Sequence, residues 1–392
     1  MTISTRERFL GICRFERPGD LYIREMWGHE ALMEWVKQGA SEQILDWRGA
    51  FVENYFQCFN WFRNPVFVGR RMHTDISSSF DFGTAEEVTP VYPPVERRVI
   101  SEDDRTLTTV NGTGQMVKQF KDETFKMPMY LDWPVKDRAT WKEYKKRLDP
   151  NTPGRFRDDW NDYVQKMNKL GEEQPIQLHV GSFFGYLREW VGMENLLYMF
   201  HDDPSLIEDM MDTVLYLETE IIKRTLKDIR IDMGSFWEDM AYKAGPLISP
   251  AMVRKFMMPR YKKITDLLHS YGVDVIFIDS DGNCEQLIPL LLEVGINYIW
   301  PYEVAAGNDA VADRKKYGRD LIIGGGIDKR ALIKGKEAIR VEIMSKVPFL
   351  LEQGGYFPSV DHYIPPGITF ENYCYYINTL REVAGLKKLP FP

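Results

Sequence analysis

The run Val273–Ile278 is apolar at every position but Asp274, and its β-branched Val273, Val275, Ile276 and Ile278 predict a strand buried on both faces. It stops abruptly at Asp279-Ser280-Asp281-Gly282-Asn283. The same pattern of apolar run and polar tip, followed by helical periodicity, recurs through the second half of the chain. Ile176–Val180 ends at Gly181-Ser182-Phe183-Phe184-Gly185, Ile231–Trp237 at Glu238-Asp239, and Ile296–Trp300 at Pro301-Tyr302-Glu303. Leu321–Ile323 ends at the glycines 324–326 and Asp328, and Gly355–Pro358 at Ser359-Val360-Asp361-His362. Helices are predicted over Glu194–His201, over Pro204–Ile229 and from Ala251, the last with Ser249 as N-cap and Pro250 at its first position. Six strand-then-helix units, a strand at Leu21–Met26 and room for one more predict an α/β protein of the (β/α)8 TIM-barrel type. A doubly wound open sheet is the alternative.

The first part of the chain departs from this alternation. Thr5–Phe15 predicts an N-terminal helical extension ended by Arg17-Pro18-Gly19-Asp20, and Glu30–Gln38 a helix stopped by Gly39. Between residues 64 and 121, short strands at Val66–Val68, Arg97–Ile100 and Leu107–Val110 alternate with Ser/Gly/Pro/Asp clusters. That block predicts a small antiparallel β-subdomain, with a hairpin turning at Glu102–Arg105, inserted in a single domain spanning 1–392. Arg138–Arg147 then predicts a charged helix.

Composition narrows the class. The 392 residues carry a net charge of −8, which disfavours a broad nucleic-acid surface. No apolar stretch approaches the roughly 20 residues that span a bilayer, and the start of the chain does not read as a signal peptide, so a cytoplasmic protein without a membrane partner is expected. Cys13, Cys58, Cys284 and Cys374 form no metal-binding or disulfide spacing and read as reduced core thiols. The 10 Trp, 20 Tyr and 22 Phe exceed what a plain barrel core needs, and several stand beside the strand tips, where a flat ligand could lie.

In a parallel α/β sheet, sites form at the carboxyl ends of the strands. The barrel reading therefore brings Glu238, Asp279, Asp281, Glu303, Asp328, Asp361 and His362 to one face. A single acidic tip residue usually caps a helix or closes a turn. A set of them repels unless a cation, a proton or a substrate offsets the charge. Glycines 324–326 read as close backbone packing rather than a phosphate loop, because no Gly-Lys-Ser/Thr follows. Arg188 has the chemistry to hold a carboxylate or to form an ordinary ion pair.

Taken in order, several stretches resemble the uroporphyrinogen decarboxylase superfamily over nearly the whole chain. They are Thr5-Arg6-Glu7-Arg8-Phe9, Gly245-Pro246-Leu247-Ile248-Ser249-Pro250, Asp281-Gly282-Asn283, Gly325-Gly326-Ile327-Asp328, and Ile364-Pro365-Pro366 with Glu371-Asn372. Within that superfamily the chain looks more like the corrinoid-dependent methyltransferases than the decarboxylases. The resemblance implies a (β/α)8 barrel. Decarboxylases of the family hold tetrapyrrole carboxylates with paired arginines in an early loop, whereas here Arg24 stands alone. The methyltransferases bind zinc through a His-x-Cys-Gly tip and a later Cys. This chain has Asp279-Ser280-Asp281-Gly282 at that tip and Asp361-His362 near the later ligand.

Carboxylates in place of thiolates shift the expected chemistry from thiols to ethers, whose leaving oxygen needs a Lewis acid or a proton. The expectation is an enzyme that demethylates a methoxylated, aromatic compound and passes the methyl group to the cobalamin of a separate corrinoid protein. Asp279, Asp281, Glu238 and His362 would carry the chemistry, directly or as zinc ligands. Phe183, Phe184, Tyr186, Arg188, Trp237, Trp300, Tyr302 and Glu303 would line the substrate site. The partners are then the corrinoid protein and a small-molecule methyl donor, with room for a homodimer. Two other readings stay open: a cofactor-free decarboxylase of a small acid held by Arg24 and Arg188, and a catalytically silent barrel that binds a corrinoid or tetrapyrrole.

Overall fold

A computed structural model describes residues 3–46, 50–60, 65–66, 90–121, 128–156 and 158–391. Its centre is a parallel sheet whose seven strands, from one edge to the other, are Tyr356–Phe357, Ile322–Gly325, Tyr298–Tyr302, Val275–Asp279, Met233–Trp237, Gln177–His179 and Pro65–Val66. A further parallel pair, Arg24–Glu25 with Phe59–Asn60, lies next to it, and the Arg24 N–H donates to the Pro358 carbonyl at 3.4 Å. Helices follow the later strands, as the alternation of apolar runs predicts. Ser249 caps its helix by accepting from Met252 N, with Pro250 at the first position. No helix among the described residues is long and apolar enough to cross a membrane.

Strand periodicity sorts the core into two layers. Ile276 and Ile278 join the large cluster under the helices, whereas Val275 and Phe277 join an inner cluster with Met233, Tyr298, Trp300, Ile322 and Phe357. Helix Thr5–Cys13 supplies Phe9, Leu10, Ile12 and Cys13 to that inner cluster. Its start is fixed by a capping box: Ser4 Oγ accepts from Glu7 N, and the Glu7 carboxylate accepts from Ser4 N. Arg6 on this helix pairs at 2.8 Å with Asp232, immediately before the strand Met233–Trp237, which places the start of the helix at the end of that strand opposite its acidic tip.

The antiparallel insert differs from expectation in extent. It has four strands, Arg98–Glu102, Thr106–Val110, Met116–Phe120 and Met129–Asp132, in that spatial order. Pro65–Val66 does not belong to it; this strand pairs with Gln177–Leu178 in the main sheet. Residues 67 and 68, expected to continue a strand of the insert, lie outside the described residues. The hairpin turn falls where expected, with Asp103 accepting from the N–H groups of Arg105 and Thr106. The third and fourth strands escape sequence reading because they lie on a thin, largely exposed sheet, where apolar alternation is weak.

Candidate active site

Ladder register assembles the site. Trp237 pairs with Asp279, and Asp279 with Trp300, so these three residues stand side by side at the ends of adjacent strands. Asp279 shares the face of Val275 and Phe277 and therefore points toward the inner layer. Beyond it, backbone bonds lock the tips together: Glu238 N donates to Asp279 O, Ser280 N to Trp300 O, and Asn283 N to Tyr242 O. Gly282 is required here. Its φ is +85°, and a Cβ would lie 2.7 Å from the backbone of Ala241 and Tyr242. Its N–H donates to Glu303 Oε2 at 2.7 Å, which fixes that carboxylate beside the Asp281 tip.

Two overlapping groups of potential ligands result. Asp281, Glu303 and His362 each bring one ligand atom within 4.8 Å of the others, and so do Asp239, Asp279 and Asp281. His362 Nε2 lies 3.5 Å from Asp281 Oδ1. The Asp281 side chain is 43% exposed, yet Oδ1 itself is enclosed and has no hydrogen-bond partner. Burial, reinforced by the Asp239 and Glu303 charges, pushes the Asp281 carboxyl up to about 8. Asp279 is driven in the same direction by burial and by Asp239 and Asp281. Burial, helped by Lys329, pushes the His362 imidazole down to about 3, so it is neutral and able to act as a ligand. Its ring packs against Trp300 at 5.8 Å and Tyr363 at 5.3 Å.

Other expected site residues lie elsewhere or have other tasks. Glu238 is a correction: fully buried, it accepts from Ser182 Oγ, the N–H groups of Phe183, Phe184 and Gly185, and Tyr261 OH. These donors hold the 181–185 turn, and Glu238 belongs to neither ligand group. Five aromatic residues expected at a substrate surface are core instead, Trp300 among them as part of the inner cluster. Phe183 packs on Phe236 and Tyr261, Phe184 on Phe200, and Tyr186 on Trp190, while Tyr302 donates its hydroxyl proton to Asp313. Each is large enough to gain more from complete burial than from lining a mouth. Trp237 stays partly exposed under the Arg188 guanidinium, 5.0 Å from its ring centre, and Trp300 backs His362.

Arg188 is ion-paired to Asp239 and Glu189 at 3.3 Å each. Asp361 accepts from the backbone of Val304 and Lys329, and Asp328 caps the helix Lys329–Lys334. Glu303, expected to touch substrate, is instead part of a ligand group. Sequence reasoning missed Asp239, which reaches the cluster from a left-handed backbone, φ 44°, that a non-glycine residue rarely adopts. The adjacent pair Glu238-Asp239 was its signal: only one of two successive carboxylates can point inward. All four cysteines are free and buried, and burial pushes the Cys284 thiol, just past the tip, up to about 12. A groove of about 700 Å³ lined by Pro93, Pro134, Glu143, Tyr144, Lys146 and Arg147 contains none of these acids.

A parallel α/β fold with ionisable residues gathered at the carboxyl ends of its strands defines the class. The particular family follows from the sequence: residues 125–383 match uroporphyrinogen decarboxylase (URO-D), and the chain belongs to that family. Among solved structures it is similar to a methyltransferase from Methanosarcina mazei, with a TM-score of 0.57 and 12% identity, covering 97% of this chain and 99% of that one. At that identity the likeness concerns the fold. No curated protein matches the sequence.

Proposed function

We propose that this URO-D family chain is a methyltransferase on a (β/α)8 barrel. It demethylates a methoxylated aromatic compound and passes the methyl group to the cobalamin of a separate corrinoid protein. The observation that carries this reading is the Asp281–Glu303–His362 group, in which a neutral imidazole and two carboxylates converge and one enclosed carboxylate oxygen lacks a hydrogen bond. The methyltransferase likeness of the fold supports it. Demethylation breaks an O–CH3 bond, the electron pair stays on the ether oxygen, and that oxygen takes a proton. Asp281, held protonated near neutral pH by burial and neighbouring charge, supplies that proton. His362 Nε2 stands 3.5 Å from its Oδ1, the Gly282 N–H holds Glu303 beside it, and the partly exposed Trp237 offers ring surface to a flat substrate.

The same residues suit a zinc ion, since two oxygen donors and one imidazole nitrogen leave a position open. Asp281, Glu303 and His362 would hold it, in place of the set containing Glu238. Bound there, the ion would act as a Lewis acid toward the leaving oxygen.

The decarboxylase reading has less support. Arg24 is buried with its guanidinium over the Phe9 ring, and Arg188 is ion-paired to Asp239 and Glu189, so both expected carboxylate clamps are engaged within the fold. The test is incubation with methoxyarenes and a reduced corrinoid protein. Phenol release and methylation of the corrinoid are expected. Carbon dioxide release without corrinoid would replace this reading with the decarboxylase.

A further inference from the structure

A chain of polar side chains ties the four-stranded insert to the acidic tips. Asn111, Thr113 and Gln115 lie in the turn between its second and third strands, and all three are buried. Asn111 Oδ1 accepts from the N–H groups of Thr113 and Gln115 at 3.2 and 2.9 Å, which shapes the turn. Gln115 Oε1 accepts from Asn111 Nδ2 at 3.0 Å, so the amide nitrogen of Gln115 points the other way. There Nε2 donates to the Glu189 carbonyl at 2.8 Å and to Glu189 Oε2 at 2.7 Å, using both of its protons. An apolar side chain would fill the same space with no polar group to satisfy; what the amide adds is direction.

Glu189 carries the contact onward. Its other oxygen, Oε1, accepts from Arg188 Nε at 3.3 Å. Arg188 Nη1 and Nη2 donate in turn to the carbonyl and to Oδ2 of Asp239, at 3.2 and 3.3 Å. Each of these contacts is at the long end of the hydrogen-bond range, so the guanidinium keeps its orientation by being held from both sides. Asp239 is the member of the ligand groups with φ at 44°. A non-glycine residue keeps such a backbone only where its surroundings over-determine it. Arg188 supplies that restraint, because it bonds to the main chain and the side chain of Asp239 at once.

We infer that Gln115 is a positioning residue for the acid site: it orients Glu189, Glu189 orients Arg188, and Arg188 holds Asp239 at the tips. A turn of the insert thereby sets the place of a carboxylate more than a hundred residues further along the chain. The bearing of this on catalysis rests on the demethylase reading. The positioning itself does not, and geometry decides it even in a protein inactive toward every methoxyarene.

NMR of the full chain, with isotope labels in the arginine side chains and the aspartate carboxyls, tests this. Arg188→Lys and Asp239→Asn identify the two signals by their loss. Gln115→Met is similar in length but has no N–H to donate, and it is expected to shift or broaden the Arg188 Nε–H signal and to shift the Asp239 carboxyl signal. Glu189→Gln removes the charge that faces Arg188 in the middle of the chain of contacts. It is expected to move the same two signals, and it decides the point should Gln115→Met fail to fold. Thr265→Val is the control: it deletes a buried hydroxyl that donates to Val294 O at 2.6 Å, in the helix Met258–Ser270, and is expected to leave both signals in place. Far-UV circular dichroism establishes which variants are folded. Signals that stay in place in the folded Gln115→Met and Glu189→Gln proteins, or that move as far in Thr265→Val, overturn the assignment.

Discussion

Glu238 and Asp281 are carboxylates at the tips of adjacent strands, and they have opposite circumstances. Five donors converge on Glu238, so its charge is compensated within the fold. Asp281 presents an enclosed Oδ1 with no hydrogen bond, among other acids. Burial raises the pKa of both. The difference lies in what remains unpaired, and it separates a carboxylate that builds the fold from one available to a cation, a proton or a substrate.

The sharpest way to break this comparison is to truncate each. Glu238→Ala leaves buried donors without an acceptor and should cost about 3–5 kcal/mol in urea unfolding. A loss below about 1 kcal/mol would mean that the 181–185 turn does not depend on it. Gly282→Ala attacks the Asp281 tip through the backbone. A left-handed φ and a 2.7 Å contact predict a destabilisation of about 2–3 kcal/mol, measured the same way.

The ligand group makes a smaller, chemical prediction. Added zinc should raise the melting temperature of the wild type, and His362→Ala should weaken zinc binding by roughly tenfold or more in a competition titration. Glu238 stands in neither ligand group, so a conservative Glu238→Gln protein that folds should keep the wild-type affinity.

A further effect is in pH. The Asp281 carboxyl is raised from an ordinary 3.8 to about 8, so the folded protein binds more protons than the unfolded chain between those values. Its contribution to stability is full below pH 3.8 and is lost as pH rises through 8. In protein stripped of divalent cations, Asp281→Asn should therefore raise the melting temperature more at about pH 8 than at about pH 5. An equal change at both would show that Asp281 is not held protonated.

Much of the fold was legible because a parallel sheet writes itself as apolar runs. Val275–Asp279 and Met233–Trp237 fall where the apolar segments predict strands, and the abrupt polar tips mark their ends. The insert was legible only at its first hairpin, where Asp103 turn chemistry stands between two β-rich runs. In the site, Asp279, Asp281 and His362 follow from their places at strand ends. Which neighbours join them depends on geometry that residue type does not encode. Glu303 is drawn in by the Gly282 N–H, Asp239 by a left-handed backbone, and Glu238 is drawn away by donors from a turn more than fifty residues earlier. Phe183, Phe184, Tyr186, Trp300 and Tyr302 were misread for the same reason: an aromatic residue beside a tip can face the mouth or the core, and here each is packed in the core.

The central claim is that the Asp281 cluster performs corrinoid-linked demethylation. It is tested most directly by measuring phenol release from a methoxyarene in the presence and absence of a reduced corrinoid protein, with wild type and Asp281→Asn side by side. The account predicts corrinoid-dependent phenol from the wild type and a loss of about 100-fold or more in the folded variant. Phenol formed equally by both proteins, or none formed from any methoxyarene by the wild type, would contradict it.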